Sequence, residues 1–396
     1  MQPVPVINIL LFIPGTYEVP DIFVIIGGPM QYKKYGKTGK EISVIGFGGM
    51  RFPKVNDSYD YDKCAELAVK ASELGVNYFD TAPYYNNDNS EFIMGHAFKQ
   101  MKKPFYVSTK SSETEGAKLR EQLETSLKRL NLEKINFYHI WCILDLEDYK
   151  SRMVKGGAYE AALKAKEEGL IEHLVFSTHC TGDEIETIVN EGCFEGMTIG
   201  YNILNFPFRQ KGLKAAYEKG LGVATMNPLG GGIIPQKADY FDFIRSGDDA
   251  NVVDAALRFN ASHDEITTVL AGMGSMEEVL QDCQVGDRLQ KLSRDKLNEI
   301  ESRLYSGMDK LCTGCRYCEY CPADIQVSKF MLSYNHHILG NTKEVTSYIK
   351  WHWDLKPEDA EKCIECGLCE SKCTQHLPVI DRLREITAFN QSSQKS

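Results

Sequence analysis

The stretch "EGAKLREQLETSLKRLNL" (115–132), followed almost at once by "INFYHIWCIL" (135–144), decides the fold. In the first, Leu119, Leu123, Leu127 and Leu130 fall on one helical face. The second is rich in β-branched and aromatic residues, lacks Gly and Pro, and reads as a buried strand. One histidine, His139, stands at its centre. An amphipathic helix feeding a short apolar strand is the repeating unit of an α/β fold.

The same rhythm extends in both directions. Strand-like runs are "ISVIGFG" (42–48), "VNYFD" (76–80), "FYVSTK" (105–110), "INFYHIW" (135–141), "HLVFST" (173–178), "MTIGYN" (197–202), "GVATMN" (222–227) and "ITTVLAG" (266–272). Eight strands alternating with helices over roughly 250 residues are what a (β/α)8 TIM barrel needs. A doubly wound sheet would carry G-x-G-x-x-G after its first strand, and "GFGGMRFP" (46–53) matches that poorly.

Chemistry in such a barrel sits at the C-terminal ends of the strands. Those ends carry Arg51, Asp80 with Tyr84 and Tyr85 just beyond, Lys110, His139 and Trp141, Ser177 with His179, Asn202, Met226 and Asn227. Arg51 is a candidate partner for a substrate carboxylate. Asp80 and Lys110 both cap apolar strands, where a lone charge is costly to bury, so the two are expected to pair. An ammonium beside a phenol is expected to lower the phenol's pKa and make it a proton donor. The competing reading leaves both charges on the surface.

Composition narrows the classes. With 43% hydrophobic and 25% charged residues the chain is globular. A net charge of -10 argues against nucleic acid or an anionic membrane as the partner. Of 13 cysteines, five are scattered and eight form two tight runs, which points to a reducing compartment with a metal site rather than disulfides. The apolar "VINILLFIPG" (6–15) has no basic flank or cleavage signal and is too short to span a bilayer. Residues 1–29 read as an extension ahead of a natural start at Met30, and the protein is expected to be cytoplasmic.

"GVNYFDTAPYYNNDNSEFIMG" (75–95), "LETSLKRLNLEKINFYHI" (123–140) and "KAKEEGLIEHLVFST" (164–178) occur in the order of the aldo-keto reductase motifs. From about Met30 to Val285 the chain resembles that family. The resemblance implies hydride transfer between a nicotinamide and a small carbonyl or alcohol, with Asp80, Tyr85 and Lys110 as catalytic residues. The family's catalytic histidine falls on Trp141, and His139 lies two residues earlier on the same face, roughly 6–7 Å deeper. His139 is therefore expected to be a core histidine, and His179 is the candidate replacement donor. By the same resemblance Ser177, Thr178, Asn202, Met226 and Asn227 face the nicotinamide, and Gly272, Gly274 and Ser275 approach the phosphates at a helix N-terminus. Glu278 stands where an arginine usually binds the 2′-phosphate, so NADH is expected over NADPH.

"CTGCRYCEYCP" (312–322) and "CIECGLCESKC" (363–373) carry two C-x2-C-x2-C runs, each with a fourth cysteine. This spacing points to two [4Fe–4S] clusters; zinc sites use paired C-x2-C units instead. In two-cluster ferredoxins the fourth cysteine crosses over. Cys312, Cys315, Cys318 and Cys373 are then expected to hold one cluster, and Cys363, Cys366, Cys369 and Cys321 the other. "VSKFMLSYNHHILG" (327–340) and "NTKEVTSYIKW" (341–351) read as helices, with His336 and His337 exposed on the first. The part resembles an α-helical ferredoxin, and the whole chain resembles iron–sulfur-containing aldo-keto reductases. Expected divisions are a barrel at 30–290, a connecting helix at 291–311, a ferredoxin-type domain at 312–386 and a disordered tail at 387–396. Two functions remain open. One is an oxidoreductase whose clusters exchange electrons with a redox partner protein, with a flavin as the two-to-one-electron switch. The other is an electron-transfer or scaffold protein whose barrel has lost carbonyl reduction.

Overall fold

The chain is described by a computed structural model over residues 29–247, 249–303, 310–351 and 353–393. Residues 1–28 of the expected N-terminal extension lie outside the described residues. A short antiparallel hairpin, β1 (Tyr32–Lys34) and β2 (Glu41–Ser43), comes first. Eight parallel strands follow: β3 (Ile45–Gly48), β4 (Tyr78–Asp80), β5 (Tyr106–Ser111), β6 (Ile135–Ile143), β7 (Ile171–Thr178), β8 (Gly196–Gly200), β9 (Gly222–Met226) and β10 (Thr268–Ala271). β10 pairs with β3 and closes the barrel. The run 42–48 divides, its first two residues completing the hairpin and its end forming β3.

The hairpin stoppers the N-terminal end of the barrel. Tyr35 is wholly buried there, its ring 6.1 Å from Tyr78 and 4.5 Å from Phe137. Gly222 makes room for it, since a Cβ at that position would lie 1.9 Å from the Tyr35 ring. Outside, the helix Gly116–Leu130 buries Leu119, Leu123, Leu127 and Leu130 as its pattern requires. β6 is regular up to Ile140 and then shifts register before Ile143, with Cys142 at φ +61°.

Beyond the barrel, the helix Arg294–Arg303 leads to a small helical domain. Its helices Val327–Ile338, Thr342–Trp351 and Val379–Ser393 enclose a core that includes Val327, Phe330, Met331, Val345, Ile349, Leu383 and Ile386. Two expectations are corrected here. The segment from 387 is helical through Ser393 rather than a disordered tail, because Phe389 packs against Tyr334 and His337, and Asn390 Nδ2 donates to Glu358 at 3.0 Å. His336 is buried, not exposed, because its helix lies against the barrel, with Nδ1 3.2 Å from Lys237 Nζ. No helix among the described residues is long and apolar enough to cross a membrane.

The helical domain sits on the C-terminal rim of the barrel. Arg209 Nη2 donates to the Thr374 carbonyl at 3.2 Å. At Gly231, where φ is +70°, a Cβ would lie 1.7 Å from the Thr313 carbonyl oxygen. Only a glycine lets that loop come so close.

Candidate active site at the barrel mouth

Asp80 ends β4 and Lys110 lies near the end of β5, on adjacent strands of the barrel. Their side chains pair inside it, Lys110 Nζ lying 2.5 Å from Asp80 Oδ2, with both residues buried. Ser108 donates its hydroxyl to the same carboxylate oxygen at 2.7 Å. Burial lowers the Lys110 pKa while Asp80 holds it up. Tyr85 follows on the turn after β4, its ring centroid 5.5 Å from Lys110 Nζ. Ser90 pins this turn by bonding Thr81 and the Gly49 carbonyl, both at 2.7 Å. Beneath it, buried Glu91 accepts from Thr109 at 2.8 Å and faces Arg129.

The pairing meets expectation; the phenol does not. Burial, followed by the charges of Asp80 and Cys142, pushes the Tyr85 pKa well above its ordinary value, with Arg51 pulling the other way. Loss of water and a facing carboxylate outweigh the cation. Such a phenol keeps its proton and is chemically a donor rather than a base.

Trp141 stands beside it at the mouth, stacked 6.1 Å from Tyr84 and edge-on to Tyr85 at 5.8 Å. His139 is fully buried below. Its Nδ1 lies 3.3 Å from Ser108 Oγ and 3.4 Å from the Thr109 carbonyl, and its Nε2 lies 2.8 Å from Thr198 Oγ1. Ser108 spends its hydrogen on Asp80 and a carbonyl can only accept, so this network assigns the ring proton to Nδ1. Burial, and then Lys110, lowers the His139 pKa well below its ordinary value and keeps the ring neutral. His139 is a satisfied core histidine that steadies the Asp80 carboxylate through Ser108.

The remaining candidates are distributed around the rim. Ser177 accepts from the Cys142 amide at 3.1 Å, and Thr178 donates to the Ile143 carbonyl at 3.0 Å, so both hydroxyls hold β6. Asn202 is buried, donating to the Asn227 carbonyl and accepting from Leu204 N, each at 2.9 Å. Asn227 accepts from Gly231 N, and Met226 is half-buried at the end of β9. Gly272 and Gly274 lie against Arg51, which is exposed. Ser275 caps the helix Met276–Asp287 by accepting from Glu278 N at 3.2 Å. The Glu278 carboxylate turns back to accept from Gly274 N at 2.7 Å, so this chain's own anion occupies that helix N-terminus.

The aldo/keto reductase family model matches residues 44–304. The chain belongs to the aldo/keto reductase family. It is 24% identical to an L-galactose dehydrogenase of Arabidopsis thaliana, over 69% of this chain and 94% of that one. It is 26% identical to an NADH-specific methylglyoxal reductase of Escherichia coli, over 55% of this chain and 73% of that one. Among solved structures, the holo form of a Bacillus halodurans aldo-keto reductase aligns with a TM-score of 0.59 at 22% identity, covering 69% of this chain and 96% of its own. That likeness is one of fold. The family makes this chain an oxidoreductase and points to nicotinamide use.

What distinguishes this aldo/keto reductase is the domain over its mouth. Tyr317, on the loop between Cys315 and Cys318, lies close enough to Cys142 and Tyr85 for electrostatic interaction with both. Burial pushes the Cys142 thiol up to about 12. His179 packs edge-on against Tyr317 at 5.7 Å. Burial, then the charges of Arg209 and His376, lowers its pKa to about 3, so it is a neutral wall residue near neutral pH. Sequence reasoning missed Ser108, Cys142 and Tyr317. Only the polar character of Ser108 inside a strand could have flagged the first.

The cysteines group across the two runs. Cys321, Cys363, Cys366 and Cys369 line one small cavity with Pro322. Cys312, Cys315, Cys318 and Cys373 lie within electrostatic reach of one another. Amides point at these sulfurs, Gly314 N at Cys312 (3.5 Å) and Leu377 N at Cys373 (3.4 Å), and Thr374 Oγ1 bonds Cys315 at 3.3 Å. Among the described residues no three His, Cys, Asp or Glu side chains gather tightly enough for a single metal ion. A cubane of four irons takes its thiolates wider apart than one ion does.

Proposed function

We propose that this protein is an iron–sulfur oxidoreductase acting on a small carbonyl or alcohol over Asp80, Tyr85 and Lys110. In this reading Cys312, Cys315, Cys318 and Cys373 hold one [4Fe–4S] cluster and Cys363, Cys366, Cys369 and Cys321 the other, passing electrons to or from a redox partner protein. The observation that carries it is Tyr317, which brings the loop of Cys315 and Cys318 within electrostatic reach of Cys142 and Tyr85. The crossed cysteine grouping and the sulfur-directed amides fit such clusters.

In the reductive direction Tyr85 gives its phenolic proton to the carbonyl oxygen. The Lys110–Asp80 pair, braced by Ser108 and His139, sets the field beneath that phenol. Trp141 walls the site beside Tyr85, with Tyr84 stacked on it. A bound nicotinamide would supply two electrons together as hydride, while each cluster carries one, so coupling them calls for a flavin. The nicotinamide residues fit incompletely, since the Asn202 amide is spent within the protein and Glu278 holds the phosphate loop. The same Glu278 should repel a 2′-phosphate. Fluorescence titration is expected to show tighter binding of NADH than of NADPH; the reverse order would refute this assignment.

Anaerobic purification should return about eight irons per chain. Tyr85→Phe is expected to lower turnover by about 10²–10⁴-fold with the iron content unchanged. No effect on any redox activity would instead favour an electron-transfer or scaffold protein whose barrel has lost carbonyl reduction, a reading supported by Trp141 in the place of the family histidine and by Tyr317 at the mouth.

A further inference from the structure

We propose that the cavity between the barrel rim and the helical domain binds a small organic anion bearing a carboxylate or phosphate group. The cavity measures about 540 Å³, within the range of small-molecule sites, and lies at a domain interface. The barrel contributes His179 and Arg209; the helical domain contributes Lys310, Gln375, His376 and Arg382.

Its positive charge is buried and only partly answered: the Arg382 guanidinium lies 4.8 Å from the Tyr334 ring and within electrostatic reach of Glu385. Arg209 is 5% exposed and Arg382 is 3% exposed. Among the described residues Arg209 bonds only backbone carbonyls, those of Gly200, His179 (3.3 Å) and Thr374 (3.2 Å). Arg382 donates to the Lys310 carbonyl at 2.7 Å, and its Nη1 is buried with no partner among the described residues. His179 Nδ1 is likewise buried without one. Of the acids that also line the cavity, Asp381 pairs with Arg384 at 2.6 Å, and Glu385 accepts from Tyr334 while facing Arg382 electrostatically. Burial pulls the Arg209 pKa down to about 10, the mark of a cation short of a counter-charge.

Planar guanidinium groups favour the paired oxygens of carboxylate or phosphate. Ile338, Leu377 and Pro378 add an apolar wall, which suits an organic body over a bare ion. The site stands behind Tyr317 and His179 rather than over Tyr85, so it is separate from the carbonyl site. Thr374, next to Cys373, is part of its lining.

The test is calorimetric titration of the full chain, purified anaerobically with its iron content measured, using succinate, 2-phosphoglycolate and inorganic phosphate. One organic probe should saturate a single site. A succinate preference assigns the carboxylate, a phosphoglycolate preference the phosphate ester. Arg382→Gln should weaken that binding by about tenfold or more. Gln375→Glu, which adds a carboxylate to the wall and leaves both arginines in place, should weaken it as well and covers the case in which Arg382→Gln fails to fold. The proposal is overturned if no organic probe binds, if inorganic phosphate binds as tightly, or if the folded variants bind undiminished. It is equally overturned if Arg382→Gln shifts a cluster potential while probe binding stays the same, since Arg382 would then serve only the charge near Cys312 and Cys373.

Discussion

The barrel and the helical domain solve the problem of folding in different ways. The barrel closes its sheet and packs apolar side chains in two places, Tyr35, Tyr78 and Phe137 inside its N-terminal end and Phe47, Phe79 and Phe176 under its helix layer. The helical domain shows no named strand among its described residues and has a far smaller core, which includes Cys312 itself. Domains with so little to bury usually need a disulfide, a metal or a partner surface. Here no disulfide joins the cysteines, and the domain leans on the barrel through Arg209 and Gly231. Metal binding and folding are then expected to be one process in this part of the chain and separate processes in the barrel.

The largest expected effect breaks that comparison open. Cys363→Ser, or iron removal by a chelator, should abolish hydrogen-exchange protection through 312–386 while the barrel strands keep theirs. Equal loss in both regions would mean that they fold as one unit. Full protection in both would mean that the helical core suffices without metal.

Next in size is Lys110→Met. It leaves the Asp80 carboxylate buried without its cation, and removing one partner of a buried pair costs about 3–5 kcal/mol. The barrel's denaturation midpoint should fall accordingly, and Asp80→Asn added to it should restore part of the loss. A cost below about 1 kcal/mol would place the pair in water, as at an exposed salt bridge. The helical domain's exchange protection should be unchanged, which keeps the two regions distinct.

The barrel was legible because its signals are local. Strand ends follow from the alternation of apolar runs and helices, and a charge at such an end needs a partner, so Asp80 and Lys110 could be paired on paper. Spacing put Cys321 with Cys363, Cys366 and Cys369 on paper, and those four line one cavity. What escaped depends on contacts between distant segments. The register shift in β6 sets Cys142 at φ +61° with no glycine to announce it. Tyr317 reaches that residue from the far end of the chain, and nothing in "CTGCRYCEYCP" says where its ring goes. The Tyr85 pKa went the wrong way because burial and Asp80 dominate it. Glu278 could be seen to displace an arginine, but its bond back to Gly274 appears only once the loop is folded. The last helix was missed because "NQSSQKS" is polar, while Phe389 and Asn390 fasten it from one side.

The smallest effect sharpens the comparison by acid. At the N-terminal end of the barrel, Glu195 joins β7 to β8 by accepting from Leu174 N at 3.1 Å, facing His173 Nδ1 at 2.9 Å and pairing with Lys166. Burial works against its ionisation, but these bonds win and lower its pKa from 4.5 to about 2. A carboxyl whose folded pKa is depressed stabilises the fold above its unfolded value and ceases to as pH falls through the folded one. Glu195→Gln should therefore lower the barrel's urea midpoint at pH 7, and the gap to the parent protein should narrow by pH 3. Because the group is partly exposed, the shift should be modest. A gap of the same size at both pH values would trace it to shape or packing. Exchange protection in the helical domain should not respond to the substitution at pH 7, since nothing in that domain touches Glu195 through these bonds.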